Sequence, residues 1–286
     1  MTKEQIIVQL NPDSMPSGSD LAVVNAARRS FGKRSNWEYL SDYSDYEIGS
    51  GGDFKVYPDL TKPTLKDKDK RLIEFLARGM TADDFDKFLS THTEIAYDWQ
   101  EHFNVIDKNT LIEDLWRWRN TPTHDTPFNH CFISFEVKAP IFVARHLVKT
   151  EYTIMSEFSR RYITDDVEFY VHDYREAAKD KKQGSGGLHK DNEHYQRVIE
   201  LKNMEALKTY NDLIEAGVAP EQARGHLPQD LMTAWTWSGT LGAFAKMCRE
   251  RLGSDAQKET RYVAEQVYDY LKEYYPVSAK CLVEGC

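Results

Sequence analysis

A chain of 286 residues, 41% apolar and 12% aromatic, can build a real core in one large domain or two small ones, which argues against wholesale disorder. Its net charge of −9 argues against a coat for a nucleic-acid polymer, which needs a basic footprint. A local group of arginines on an acidic protein can still capture a single phosphate, so a nucleotide substrate stays open.

In chain order, Met1-Thr-Lys-Glu-Gln5 lacks the basic-then-apolar pattern of a signal peptide, and Ile6, Ile7, Val8 and Leu10 read as an opening strand. Residues 12–18 are turn-rich, and Ser19 or Asp20 can cap a helix running through Ala27. An irregular stretch over 32–68 contains a glycine loop at Gly49. A helix from about Asp69 should turn Leu72, Ile73 and Leu76 inward and end at Gly79 as its C′ residue. Residues 81–119 read as two amphipathic helices.

The apolar run Phe132, Ile133, Phe135 and Val137 ends at Pro140, which suits the first turn of a helix because its missing N–H would be unpaired there. That helix should carry Arg145 and Lys149 on one face, one turn apart. Residues 167–171 can form a strand, and 180–192 read as an exposed loop. A long helix follows, with Val198, Leu201, Leu207, Tyr210 and Leu213 at helical spacing and Gly217 at its end. The run Trp235 to Thr240 reads as buried helix packing. A last helix opens on the capping box Ser254-Asp-Ala-Gln257, shows Val263, Val267, Leu271 and Tyr274 on one stripe, and stops at Pro276. The expected fold is α+β, a helix-rich single domain over 1–286 around a small, mostly antiparallel sheet, with insertions near 32–68, 81–120 and 180–192. No apolar run approaches a membrane span, and the four cysteines show neither metal spacing nor a dense disulfide framework. A reduced, cytoplasmic protein without a membrane partner is expected.

Several features invite chemistry and lose to plainer readings. The loops at Gly49 and Gly184 match neither phosphate-loop pattern and read as turns. Trp116-Arg-Trp-Arg119 interleaves aromatics with cations as single-strand binders do, but one short helix in an acidic chain favours packing tryptophans with surface arginines. His124 and His130 lack a third metal ligand. Ser159 lies near Glu157 but near no histidine, so it lacks the base a serine nucleophile needs. Glu157, Ser159 and Arg161 do crowd a carboxylate, a hydroxyl and a guanidinium into five residues. That mixture suits a phosphorylated, hydrogen-bonding small molecule.

Five blocks then stand in a telling order: Asn25-Ala-Ala-Arg-Arg-Ser-Phe31, His124-Asp-Thr-Pro-Phe-Asn-His130, Val137-Lys-Ala-Pro-Ile-Phe-Val-Ala-Arg-His146, Ser159-Arg-Arg-Tyr162, and Pro220-Glu-Gln-Ala-Arg-Gly-His-Leu-Pro228. In this the chain resembles the flavin-dependent thymidylate synthases. It departs from them at Lys149-Thr-Glu151, where the family has Arg-His-Arg. The resemblance implies a compact α/β homotetramer with sites between subunits. It implies C5 methylation of dUMP using methylenetetrahydrofolate, FAD and NADPH.

By the same resemblance, His146, Glu157, Ser159, Arg160, Arg161, Arg224 and Arg251 bind the pyrimidine nucleotide, with Arg251 also acting on the ring as the catalytic residue. Arg161 is the strongest assignment, because a guanidinium forks onto phosphate oxygens. Arg251 has a surface arginine as its near-equal alternative. Ser30, His124, Thr126, Asn129, Lys149, Thr150, Glu151, Thr240 and Lys246 fall at flavin positions, and no metal is expected. Two rivals remain: C5 modification of another pyrimidine deoxynucleotide, hydroxymethylation included, and a nucleotide-binding homologue that has lost flavin and catalysis.

Overall fold

The computed structural model describes residues 3–38, 63–79, 122, 124–159, 167–178 and 184–285. The chain divides into two compact units, residues 1–17 with 132–274, and residues 18–131 with 275–286. The expected helices over 81–119, the Gly49 loop and the Trp116 cluster lie outside the described residues.

The first unit is built on a four-stranded antiparallel sheet in the order β1-β2-β6-β3. The strands are β1 (Ile7–Leu10), β2 (Phe132–Pro140), β3 (Thr153–Glu157) and β6 (Met232–Thr240). The central pair is in full register, with Phe135 opposite Trp237. Both are completely buried, and both meet the edge of Phe244, at 5.1 and 4.9 Å between ring centroids. Full burial of an aromatic or aliphatic side chain of this size contributes about 1.5–3 kcal/mol. The expectation that Trp235 to Thr240 is helical is therefore corrected. Trp235, Trp237 and Gly239 alternate inward with period two, as a strand requires. Gly239 cannot be replaced cheaply, since an added Cβ would lie 2.9 Å from Thr153 Cγ2 and 3.2 Å from the Tyr152 carbonyl.

Helix α3 (Ile141–Leu147) leaves β2 directly, with Pro140 as its N-cap and Val148 as its C-cap. Lys149 thus lies past the helix, in the turn that leads to β3, and not on a shared face with Arg145. A long helix α4 (Asn192–Glu215) ends as expected: Gly217 adopts φ +82°, and its N–H and that of Val218 close on the carbonyls of Ile214 and Leu213. Its apolar stripe is less covered than expected, with Leu201 68% and Met204 59% exposed. A single turn, α5 (Pro220–Ala223), precedes β6, and α6 (Leu241–Arg251) and α7 (Lys258–Tyr274) follow it. The capping box at Ser254 does not open α7, which starts at Lys258, but Val263, Val267 and Leu271 are fully buried as its stripe requires. Residues 167–171 make one bridge, Phe169 to Leu231, and no strand. Part of the expected 180–192 loop is β5 (Ser185–Leu188), paired with β4 (Arg175–Ala177).

The second unit packs α1 (Asp20–Arg29), α2 (Asp67–Ala77), a 3-10 turn at Thr126–His130, and α8 (Pro276–Val283), a short helix that periodicity had not revealed. Ser19 caps α1 through the N–H of Ala22, while the buried Asp20 carboxylate accepts the N–H groups of Val277 and Ser278, each at 2.9 Å, and so caps α8. Burial pushes the Asp20 carboxyl above its ordinary range, against the pull of those hydrogen bonds. Helix α2 runs from Asp67 to Ala77 with Arg78 as its C-cap, which puts Gly79 at the expected C′ position. It buries Asp69, Ile73, Leu76 and Ala77. The Asp69 carboxylate, wholly buried, is held by Arg28 at 2.5 Å and by a short hydrogen bond from Ser35.

Candidate functional site

In the second unit, α1, α2 and the 3-10 turn border a cleft of about 860 Å³. Ser30 and Phe31 reach it from the end of α1, and His124, Thr126 and His130 from the turn segment. Three of the four expected flavin contacts in this unit are therefore gathered in one place, and Asn129 lies on the same turn. Their local supports are plain. The Ser30 hydroxyl donates to the Ala27 carbonyl at 3.1 Å, and His124 stacks on Phe75 at 5.5 Å. The cleft also holds residues the sequence had not flagged. Lys33, Lys68 and Arg71 line it together with Leu72 and Phe75. A dinucleotide needs flat apolar surface for its rings and cations for its phosphates, and this lining supplies both.

In the first unit, the turn after α3 carries Lys149, Thr150 and Glu151. Thr150 closes this turn: its N–H bonds the Leu147 carbonyl, and its own carbonyl accepts the Thr153 hydroxyl at 2.9 Å. The Glu151 carboxylate pairs with Lys246 of α6 at 2.7 Å, which holds Glu151 below and Lys246 above their ordinary ranges. Thr240 is the N-cap of α6, its hydroxyl accepting from the Ala243 N–H at 3.1 Å. Of the expected flavin contacts in this unit, Thr240, Glu151 and Lys246 thus already make internal bonds, and Lys149 is exposed.

His146 sits beside them. Its Nδ1 lies 3.1 Å from the hydroxyl of Thr260, itself fully buried on α7. Burial, and then the charges of Arg251 and Lys149, hold the imidazole below its ordinary value. The structure thereby brings together three residues assigned from sequence to two different ligands. Arg251 is half-buried, and among the described residues its Nε has no hydrogen-bond partner and its one ion-pair contact is a long 3.9 Å approach to Glu250. A guanidinium with an unsatisfied buried N–H in a cationic corner can donate to an anion or a carbonyl oxygen.

The remaining assignments are more scattered. Glu157 ends β3, and its carboxylate accepts the hydroxyl of the buried Thr233 at 2.9 Å, a positioning contact absent from sequence reasoning. Arg224 is exposed at the start of a 3-10 turn, Arg224–His226. Ser159 is half-buried just past β3, and Arg160 and Arg161 lie outside the described residues. Among the described residues no group of histidines, cysteines and carboxylates could hold a metal, and no helix is long and apolar enough to cross a membrane. Burial pushes the Cys131 thiol up to about 11 and the Cys248 thiol further still, which leaves both poor nucleophiles.

The family model described as thymidylate synthase complementing protein matches residues 13–277. A flavin-dependent thymidylate synthase from Ehrlichia ruminantium (strain Gardel) is 34% identical over 189 residues, 64% of this chain and 62% of that protein. One from Thermus thermophilus is 36% identical over 175 residues, covering 61% and 63%. The chain thus spans a little over three-fifths of the length of these relatives. A solved UMP/dUMP methylase, PolB from Streptomyces cacaoi with bound 5-Br dUMP, superposes with a TM-score of 0.62 over 98% of this chain and 95% of its own, at 24% identity, and this supports the fold. On the match over residues 13–277, the chain belongs to the thymidylate synthase complementing protein family, whose curated relatives carry the name flavin-dependent thymidylate synthase.

Proposed function

We propose that the protein is a flavin-dependent thymidylate synthase, converting dUMP to dTMP with methylenetetrahydrofolate, FAD and NADPH. The observation that carries this reading is the family match from residue 13 to residue 277, which takes in every candidate site residue. When bound, FAD supplies the hydride chemistry that side chains cannot, with NADPH regenerating it. The chain's own residues bind and orient. Arg251 places its guanidinium on the pyrimidine ring, where charge develops during C5 attack. Arg161, Arg160, Ser159 and Arg224 take the nucleotide phosphate. His146, kept neutral at neutral pH, offers the ring hydrogen bonds rather than charge. Glu157, fixed by Thr233, accepts from the sugar or base. Ser30, His124, Thr126, Asn129, Lys149, Thr150, Glu151, Thr240 and Lys246 are the residues proposed to contact the flavin.

The test is direct. Purified protein is incubated with dUMP and the three cofactors, and the nucleotide product is weighed by mass spectrometry. A product heavier by one CH2, the net gain when a methyl replaces the C5 hydrogen, supports the reading, and unchanged dUMP overturns it. A second reading draws on the Glu151–Lys246 pair, which puts an ion pair at the position where the resembled family's triplet ends in an arginine. It keeps the flavin and moves the substrate to another pyrimidine deoxynucleotide, methylated or hydroxymethylated, and the same assay run on dCMP distinguishes it. We further propose a cytoplasmic homotetramer formed by a single-domain chain, supported by the exposed apolar residues Leu201 and Met204 on α4 and Ile154 on β3.

A further inference from the structure

We infer that Lys68 and Arg71 of α2, with Lys33, hold the diphosphate of the flavin dinucleotide in the cleft of the second unit. This rests on the flavin-dependent reading above. Helix α2 has two distinct faces. Asp69, Ile73 and Ala77 point into the unit, while Lys68, Arg71, Leu72 and Phe75, at spacings of three, four and seven, line the cleft together with the buried Leu76. Neither a plain solvated face nor a plain core face has this composition. Phe75 stays 42% exposed, with His124 stacked on its ring and the Arg78 guanidinium 4.3 Å from its centroid.

The charges decide what the cleft takes. Arg28 also lines it but is committed to the buried Asp69. Lys70 is on the same helix and pairs with Asp67. Lys33, Lys68 and Arg71 have no acidic partner among the described residues, in a protein with nine more acids than bases. Lys68 and Arg71, three residues apart, repel one another along the helix. Lys68 also lies in the first turn of α2, where cations are disfavoured by the backbone dipole. A helix gains nothing by itself from that placement, and it gains when an anion arrives. A single phosphate would not need aromatic walls, and an apolar ligand would not need three cations. A diphosphate carrying flat rings needs both.

The test uses the full-length protein. FAD and riboflavin, which lacks phosphate, are titrated by flavin fluorescence into wild type, Lys68→Gln/Arg71→Gln and Lys68→Glu/Arg71→Glu, with thermal melting alongside. The expected result is a loss of FAD affinity of roughly tenfold or more in the charge-reversed protein and a smaller loss in the neutral one, with riboflavin binding unchanged. If the charge-reversed protein does not fold, the neutral variant decides. Folded variants that bind FAD as tightly as wild type overturn the inference, as does an equal loss for FAD and riboflavin, which would mark a wall rather than a phosphate site. A wild-type protein that binds no FAD would instead overturn the flavin-dependent reading itself.

Discussion

In the cleft of the second unit, Lys33, Lys68 and Arg71 carry charge with no acidic partner among the described residues, while in the corner formed by α3, β3 and α6 the charge is already partly spent. There Glu151 ties down Lys246, Arg251 keeps only a distant carboxylate among the described residues, and burial and neighbouring cations hold His146 below its ordinary value. The two places differ in what holds them together. The cleft is braced from beneath by the Asp69–Arg28–Ser35 network, so its cations can stay unpaired on a rigid floor. The corner is braced by short contacts among the candidate residues themselves, so altering one should alter its neighbours. Mutations in the cleft should act independently, and mutations in the corner should couple.

The largest effect should come from the floor of the cleft. Replacing Arg28 by alanine leaves the wholly buried Asp69 with Ser35 as its remaining side-chain partner among the described residues. Removing one member of a buried pair costs about 3–5 kcal/mol, and Ser35 should hold the loss toward the lower end. Urea unfolding would measure it. A loss below about 1 kcal/mol would mean that the pair does not brace the cleft, and the contrast with the corner would fall.

Next comes Arg251. If it meets the nucleotide, Arg251→Ala should cost about 2–5 kcal/mol of nucleotide affinity, roughly thirtyfold to several-thousandfold, with lysine restoring part of the loss. Arg161→Ala should behave alike on the strength of the Ser159-Arg-Arg-Tyr162 block alone. FAD binding should survive both changes. Calorimetry with folded protein that retains wild-type nucleotide affinity would remove that arginine from the site.

Much of this contrast was invisible in the sequence, and for identifiable reasons. Strands β1 and β2 and helices α1, α4 and α7 were legible because each carries its own period or cap, as with Ser19 on α1 or Gly217 after α4. The run from Trp235 to Thr240 was misread because two tryptophans among small polar residues fit either period, and only pairing with β2 and β3 selects the strand. Residues 167–171 have strand composition, but they make one isolated bridge, so composition misled. The gathered residues of the cleft follow from the family blocks, whereas Lys33, Lys68 and Arg71 lie up to 38 positions apart and meet only once Arg28 locks onto Asp69. The one local clue was a helix with lysine and arginine three residues apart on its outer face, beside a phenylalanine.

A smaller effect should follow Glu151→Gln. The pair with Lys246 is exposed, so stability should barely move, and thermal melting should match wild type. What changes is Lys246, whose ammonium becomes available. If the corner contributes to flavin binding, FAD affinity should rise modestly and show a steeper dependence on salt. Unchanged affinity at every salt concentration would assign the pair to local structure.

The smallest effect concerns His146 and pH. Its value in the folded protein lies below the ordinary 6.5, first through burial and then through Arg251 and Lys149. Between the folded value and 6.5 the unfolded chain therefore binds more protons at this residue than the folded chain does. The neutral ring contributes stability that is fully present above pH 6.5 and is lost as pH falls through the folded value. His146→Gln cannot be protonated, so its stability should decline less on acidification across that window. Arg251→Ala should give an intermediate result, because removing one neighbouring cation lets the imidazole titrate closer to its ordinary value, while burial still holds it down. The chemical shift of the His146 ring protons, followed by NMR in wild type and Arg251→Ala, reads this coupling without relying on activity. A wild-type midpoint at or above 6.5, or one that Arg251→Ala leaves in place, would show that the corner does not act as a coupled unit.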